Sequence, residues 1–188
     1  MIWRAGQISL FLFSILANVV AHHQPTVYFI RHGEKPDDPN NHELNFAGKM
    51  RAQCIRDIFN ANSGYDIEYI MAPTTNESTG DHGRPFKTVI PLAEDLGLKV
   101  DLHCDSLDPQ CVADAIRWYD GPGNILVSWR HRTIAKIPKL LGVTHRVKYP
   151  KKRFDIMWTL PYPYTEITEI ESEGCYGLDD NPGLIVQN

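Results

Sequence analysis

Hydrophobic positions along the chain switch between two periods. Val27 to Ile30 is an unbroken β-branched and aromatic run that stops at polar residues, the pattern of a buried strand. Ile67 to Met71 and Gly123 to Trp129 read the same way, and Leu98 to His103 reads as a further strand. Between these runs the apolar residues recur at helical spacing. Phe46, Met50, Cys54 and Ile58, with Ile55 and Phe59 beside them, predict the inward face of one helix, capped by Asn45. Phe86, Val89, Ile90, Ala93 and Leu96 predict a second, opened by Pro85, kinked at Pro91 and ended by Gly97. Val112, Ala113 and Ile116 follow Asp108-Pro109, an N-cap with proline at the first helical position. Ile134, Ile137 and Leu140 predict a last helix, closed at Gly142. Phe154 to Thr159 and Tyr164 to Ile170 alternate, with a proline-rich turn between them, and predict a hairpin at a sheet edge. Strands and helices in this order predict an α/β fold: a three-layer α/β/α sandwich with a mostly parallel central sheet and an edge hairpin.

The amino-terminal residues stand apart from this pattern. Ile8 to Val20 is apolar except for Ser9, Ser14 and Asn18, and Val19-Val20-Ala21 offers small residues for cleavage. That predicts a secretory signal peptide over residues 1–21, too short for a stable membrane span, and one domain over residues 22–188. His22 and His23 would then open the mature chain as a disordered end. A net charge of −4 argues against nucleic acid or an anionic membrane as partner.

Export changes the meaning of the four cysteines. In an oxidising compartment an even count predicts two disulfides, with three possible connectivities. Cys104 and Cys111 are close across an expected turn, which leaves Cys54 with Cys175. No Cys-x-x-Cys or His-x-x-x-His spacing points to a metal. Asn76-Glu77-Ser78 is the chain's one N-glycosylation sequon, in an expected loop, so Asn76 is the candidate glycan site.

The candidate chemistry gathers where the first strand stops. Arg31-His32-Gly33-Glu34 puts an arginine and a histidine at the carboxyl end of a central strand, where open α/β sheets bind ligands. Leu44-Asn45-x-x-Gly48-x-x-x-Ala52 follows, then Arg84 with Thr88, and then Trp129-Arg130-His131 at the end of another strand. Together these segments resemble the histidine phosphatase (phosphoglycerate mutase-like) superfamily, over about residues 26–160. The Trp-x-His form is closer to its secreted fungal members. The chain departs from the family pattern at Asn45, where threonine is usual, and at Ala72-Pro73, where serine precedes the proline; the loop before Arg84 is also longer.

The resemblance implies a metal-independent phosphomonoesterase without cofactor, acting on a small phosphorylated substrate. His32 would attack phosphorus and form a phosphohistidine. Arg31, Arg84 and His131 would hold the phosphoryl oxygens, with Lys35 as a further substrate contact. The proton donor is expected after the third strand, among Asp101, Asp105 and Asp108. Asp101 falls within the strand and Asp108 has a capping task, which leaves Asp105. A phosphoglycerate mutase-like phosphotransferase is the enzymatic alternative. A secreted binding protein without turnover on the same scaffold is the alternative from another class.

Overall fold

A computed structural model describes residues 24–76 and 78–179. The expected signal peptide and His22-His23 lie outside the described residues. Among these residues no helix is long and apolar enough to cross a membrane.

Six strands form one sheet: β1 (Val27–Arg31), β2 (Ile67–Met71), β3 (Val100–Asp101), β4 (Asn124–Trp129), β5 (Ile156–Leu160) and β6 (Glu169–Ser172). Their order is β3-β2-β4-β1-β5-β6. The first four run parallel, while β5 is antiparallel to β1 and β6 to β5. Four α-helices connect them: α1 (Phe46–Ile58), α2 (Arg84–Leu96), α3 (Pro109–Trp118) and α4 (Ile137–Leu141), the last entered through a 3₁₀ turn at Ile134–Lys136.

Side-chain alternation along the strands builds two cores. Val27, Phe29, Ile125, Val127, Trp129, Ile156 and Trp158 face α3 and α4. Ile30, Leu126, Ile70 and Met157 point the other way, against Ile55 of α1, Phe59 just after it, and Val89, Leu92 and Ala93 of α2. Because both faces are covered, the central strands are continuous apolar runs.

The capping signals form as the sequence implies. Asn45 accepts from the Gly48 N–H, Asp108 accepts from Gln110 and Cys111, and Gly97 ends α2 in the left-handed region at φ 68°. Both expected disulfides are made, Cys54–Cys175 and Cys104–Cys111. Three expectations need correction. The third strand shrinks to Val100–Asp101, and the second hairpin strand begins only at Glu169, after a loop held by the buried Tyr164. The third concerns the face of α1. Phe46 is 79% exposed and Met50 47%, whereas Gly48, Arg51, Ala52 and Ile55 are buried. The helix turns this way because backbone meets backbone at its first turn. A Cβ on Gly48 would lie 2.3 Å from the Glu34 carbonyl oxygen, and one on Gly33 would lie 2.8 Å from that of Gly48. Arg51, one turn further, is then carried inward among three carboxylates.

Candidate active site

His32 and His131 follow β1 and β4, neighbouring parallel strands paired from Val27–Ile125 to Arg31–Trp129. The His32 N–H donates to the Trp129 carbonyl at 3.1 Å, which extends the ladder one step. The fold therefore sets both histidines at the carboxyl edge of the sheet.

The His32 ring is buried, 5% exposed. Its Nδ1 lies 2.8 Å from the carbonyl oxygen of Gly33. A carbonyl only accepts, so Nδ1 carries the proton and Nε2 presents a lone pair. Gly33 is fixed in turn, since its N–H donates to Thr88 Oγ1 at 2.8 Å, and that hydroxyl donates to the Arg84 carbonyl. The Arg84-x-x-x-Thr88 spacing thus ties the start of α2 to the end of β1.

Cations crowd this ring. Burial, then the charges of Arg31, Arg84 and His131, press its pKa down to about 3, against the pull of the Gly33 carbonyl. His131 is lowered to about 4 by burial and by Arg31, Arg132, Arg130 and Lys151. Both rings are therefore neutral at ordinary pH. Arg31 is buried, with its pKa lowered by desolvation to about 10, and still charged. Its Nη1 donates to the carbonyls of Lys151 and Arg153, and its guanidinium lies 3.8 Å over the Phe154 ring. Its buried Nε has no acceptor among the described residues. A buried orphan donor on a cation is a place for an anionic oxygen.

Arg84 lines a small cavity with His32, Pro85, Arg130, Asp81 and His82. Its guanidinium also donates to the carbonyls of Glu43 and Asn41, so it holds the 37–43 loop as well. Lys35 and Asp105 lie outside this cavity. Lys35 is exposed, and its carbonyl accepts from the Asn45 side chain. The exposed Asp105 carboxylate accepts from the Leu107 N–H at 2.7 Å, which closes its own turn. Of the other acids weighed, Asp101 takes Tyr69 and His103, and Asp108 caps α3. Asn76 is exposed at a loop tip, where its side-chain carbonyl accepts from Ser78 and Thr79.

The carboxylate in the cavity is Asp81, which sequence reasoning missed. His82 lies beside it with Nε2 3.3 Å from Asp81 Oδ2 and Nδ1 3.1 Å from Ser106 Oγ. Ser106 is fully buried and its carbonyl accepts from Trp129 Nε1 and Thr133, so the Asp81–His82 pair is braced against β4. His82 adopts φ 64°, a strained conformation for a residue with a side chain. No pattern marked Asp81 in the sequence, because it sits in a loop, where no periodicity places a side chain. The grouping of His103 with Cys104 and Cys111 has its sulfurs spent in a disulfide.

The lowered histidines make stability depend on pH. Between their folded pKa values and the ordinary value near 6.5 the unfolded chain binds more protons. The histidines' contribution to stability is therefore complete above pH 6.5 and falls as pH drops toward 4 and then 3. Urea unfolding at pH 7 and pH 4 should show wild type losing a few kcal/mol more than His32→Gln. Equal losses would mean that His32 is not buried as a neutral ring.

No protein-family model matches the chain, and no curated protein matches it in sequence. Solved structures do match its fold. A protein assigned as the phosphohistidine phosphatase SixA of Agrobacterium tumefaciens superposes with a TM-score of 0.54 at 13% identity, covering 79% of this chain and 97% of that one. The protein histidine phosphatase SixA complexed with tungstate gives 0.54 at 14% identity, over 79% and 97%. The phosphoserine phosphatase of Entamoeba histolytica, in complex with 3-phosphoglyceric acid, gives 0.51 at 12%, over 78% and 96%. The chain thus has the fold of the histidine phosphatases.

Proposed function

We propose that the chain is an exported phosphomonoesterase that works through a phosphohistidine at His32. One observation carries this reading: the buried His32 ring, with its Nδ1 proton held by Gly33, shares a cavity with Arg84, while Arg31 precedes it on β1 and His131 follows the neighbouring strand β4. That set matches the needs of phosphoryl transfer, an in-line nucleophile and fixed positive charge around the equatorial oxygens. The matched folds include one that binds tungstate and one that binds a phosphorylated acid, which fits an oxyanion site. Two disulfides, the leader-like residues 1–21 and the exposed Asn76 fit export.

Nε2 attacks phosphorus as the ester oxygen leaves. Arg31 and Arg84 neutralise the transferring group, and they supply this charge without a metal. His131 donates through its ring N–H, and the arriving dianion favours its protonated form. Asp81 protonates the leaving alkoxide and then, as a carboxylate, takes a proton from the water that opens the phosphohistidine. Asp81 replaces Asp105 in this role because its carboxyl lines the cavity that holds His32.

The test is phosphate release from two esters, one with an alkyl and one with a nitrophenyl leaving group. Wild type should hydrolyse both. Asp81→Asn should slow the alkyl ester by about 10²-fold or more and the aryl ester much less, since nitrophenolate leaves unprotonated. If Asp105→Asn gave that pattern and Asp81→Asn did not, Asp105 would be the donor. Release of phosphate from neither ester would overturn the phosphatase reading.

A further inference from the structure

Two disulfides hold this chain, and their surroundings differ. Cys54–Cys175 spans 121 residues and ties the tail to α1, so it removes much freedom from the unfolded chain. Cys104–Cys111 spans only 7, and the segment it closes is secured by other bonds as well. The Cys104 carbonyl accepts from the Thr74 N–H at 2.8 Å, and the Ser106 carbonyl accepts from Trp129 Nε1 and the Thr133 hydroxyl. Asp108 caps α3 from within the loop. The shorter bridge is the weaker staple of the two.

It is also the one set against a proton relay. Tyr69 donates its hydroxyl to Asp101 Oδ2, and Asp101 Oδ1 lies 2.7 Å from His103 Nδ1. A carboxylate accepts, so Nδ1 carries the proton and Nε2 faces the other way. There it meets sulfur, with His103 Nε2 3.2 Å from Cys104 Sγ. A ring held by a carboxylate on one side and aimed at sulfur on the other is placed to stabilise a thiolate. Among the described residues no ring nitrogen meets either sulfur of Cys54–Cys175, and the Cys175 N–H donates to Asp179, in the acidic cluster. Access to the shorter bridge is one-sided. Cys104 is 1% exposed, whereas Cys111 lines an open groove of about 610 Å³ with Tyr69, Trp118 and Tyr119.

We propose that Cys104–Cys111 is a thiol-exchange site, opened by a thiol that enters this groove, with His103 as proton donor to the departing sulfur. The proposal stands apart from the phosphatase reading. An external thiolate attacks Cys111 Sγ and forms a mixed disulfide there. The bond between the two protein sulfurs breaks, and its electron pair leaves on Cys104 Sγ. His103, in its imidazolium form, gives that sulfur the Nε2 proton and stays held by Asp101. With a dithiol, the second thiol then attacks the bound sulfur of its own molecule, releases Cys111 and closes a cyclic disulfide. The dithiol loses two electrons and two protons, and the protein gains them.

The test uses the intact, oxidised, folded protein with dithiothreitol as reductant. Timed alkylation and peptide mapping follow both bridges in the same molecules. In wild type Cys104–Cys111 should open at least about tenfold faster than Cys54–Cys175. His103→Gln should slow that opening about tenfold, the effect of losing one charge-assisted hydrogen bond to the leaving sulfur. The rate for Cys54–Cys175 should not change, which separates a local effect from a loosened fold. Trapping with 2-mercaptoethanol should place the mixed disulfide on Cys111 in wild type. The protein with only Cys104–Cys111 opened should remain folded by near-ultraviolet circular dichroism.

Equal opening rates for the two bridges in wild type would overturn the proposal. So would a mixed disulfide on Cys104, or an unchanged rate in His103→Gln. Unfolding on loss of Cys104–Cys111 alone would make that bridge a structural staple and overturn it too. If His103→Gln opened both bridges faster, the variant would be misfolded, and the wild-type rate ratio and trapping site would decide.

Discussion

His32→Ala should reduce phosphate release by about 10⁴-fold or more, the scale of losing a nucleophile that forms the covalent intermediate. The loss follows from how the ring is held. Its tautomer is set by Gly33, and Gly33 is set by Thr88. The variant should still fold. Its backbone N–H keeps the Trp129 carbonyl, and the ring's main aromatic contact is an edge against Phe154 at 5.9 Å. Thermal unfolding should change little at pH 7. Mass spectrometry after a non-acidic quench should find phosphate on His32 in wild type only. Substantial hydrolysis by a folded His32→Ala protein would sink the mechanism.

The second large effect is on stability. Arg51 is 1% exposed and bonds three carboxylates: Glu34 at 2.7 Å, Glu173 at 2.6 Å and Asp179 at 2.8 Å. Burial pushes the Glu173 carboxyl up to about 8 in spite of Arg51, with Asp179 and Asp155 adding to the rise. Removing the guanidinium leaves this acidic cluster without its cation. Arg51→Met should therefore cost about 3–5 kcal/mol, the usual penalty for stranding a buried charge partner. Glu34 is both the fourth residue of the histidine motif and an Arg51 partner, so activity should fall with stability. Urea unfolding measures the loss, and adding Glu173→Gln should recover part of it as a coupling between the two sites. A loss below about 1 kcal/mol would mean that the cluster is balanced without Arg51. The sign with pH is also set. A carboxyl raised from 4.5 to about 8 contributes stability below its unfolded value, and this is lost as pH rises toward 8.

The signals the sequence carried were those that act over a few residues. Apolar runs marked β1, β2 and β4, and Asn45, Asp108 and Gly97 marked helix ends, because caps and periodicity depend only on near neighbours. The two histidines could be placed at strand ends for the same reason. The count of cysteines, with one pair seven residues apart, led to the observed bridges. Net charge averages an acidic body with the basic segment between Asp120 and Asp155, so by itself it does not show how charge is distributed.

Other features were decided by contacts between distant residues. The face that α1 buries was set by Gly33 meeting Gly48 and by Arg51 reaching Asp179, 128 residues away. Helical periodicity favoured Phe46 and Met50 because it counts apolar side chains. It cannot register that backbone contact or an ion pair outbids them. Asp81 and His82 enter the cavity through a loop braced by Ser106, 24 residues from His82. A loop's own residues do not say where it returns, so the candidate proton donor became visible only once the sheet had brought β4 beside β1.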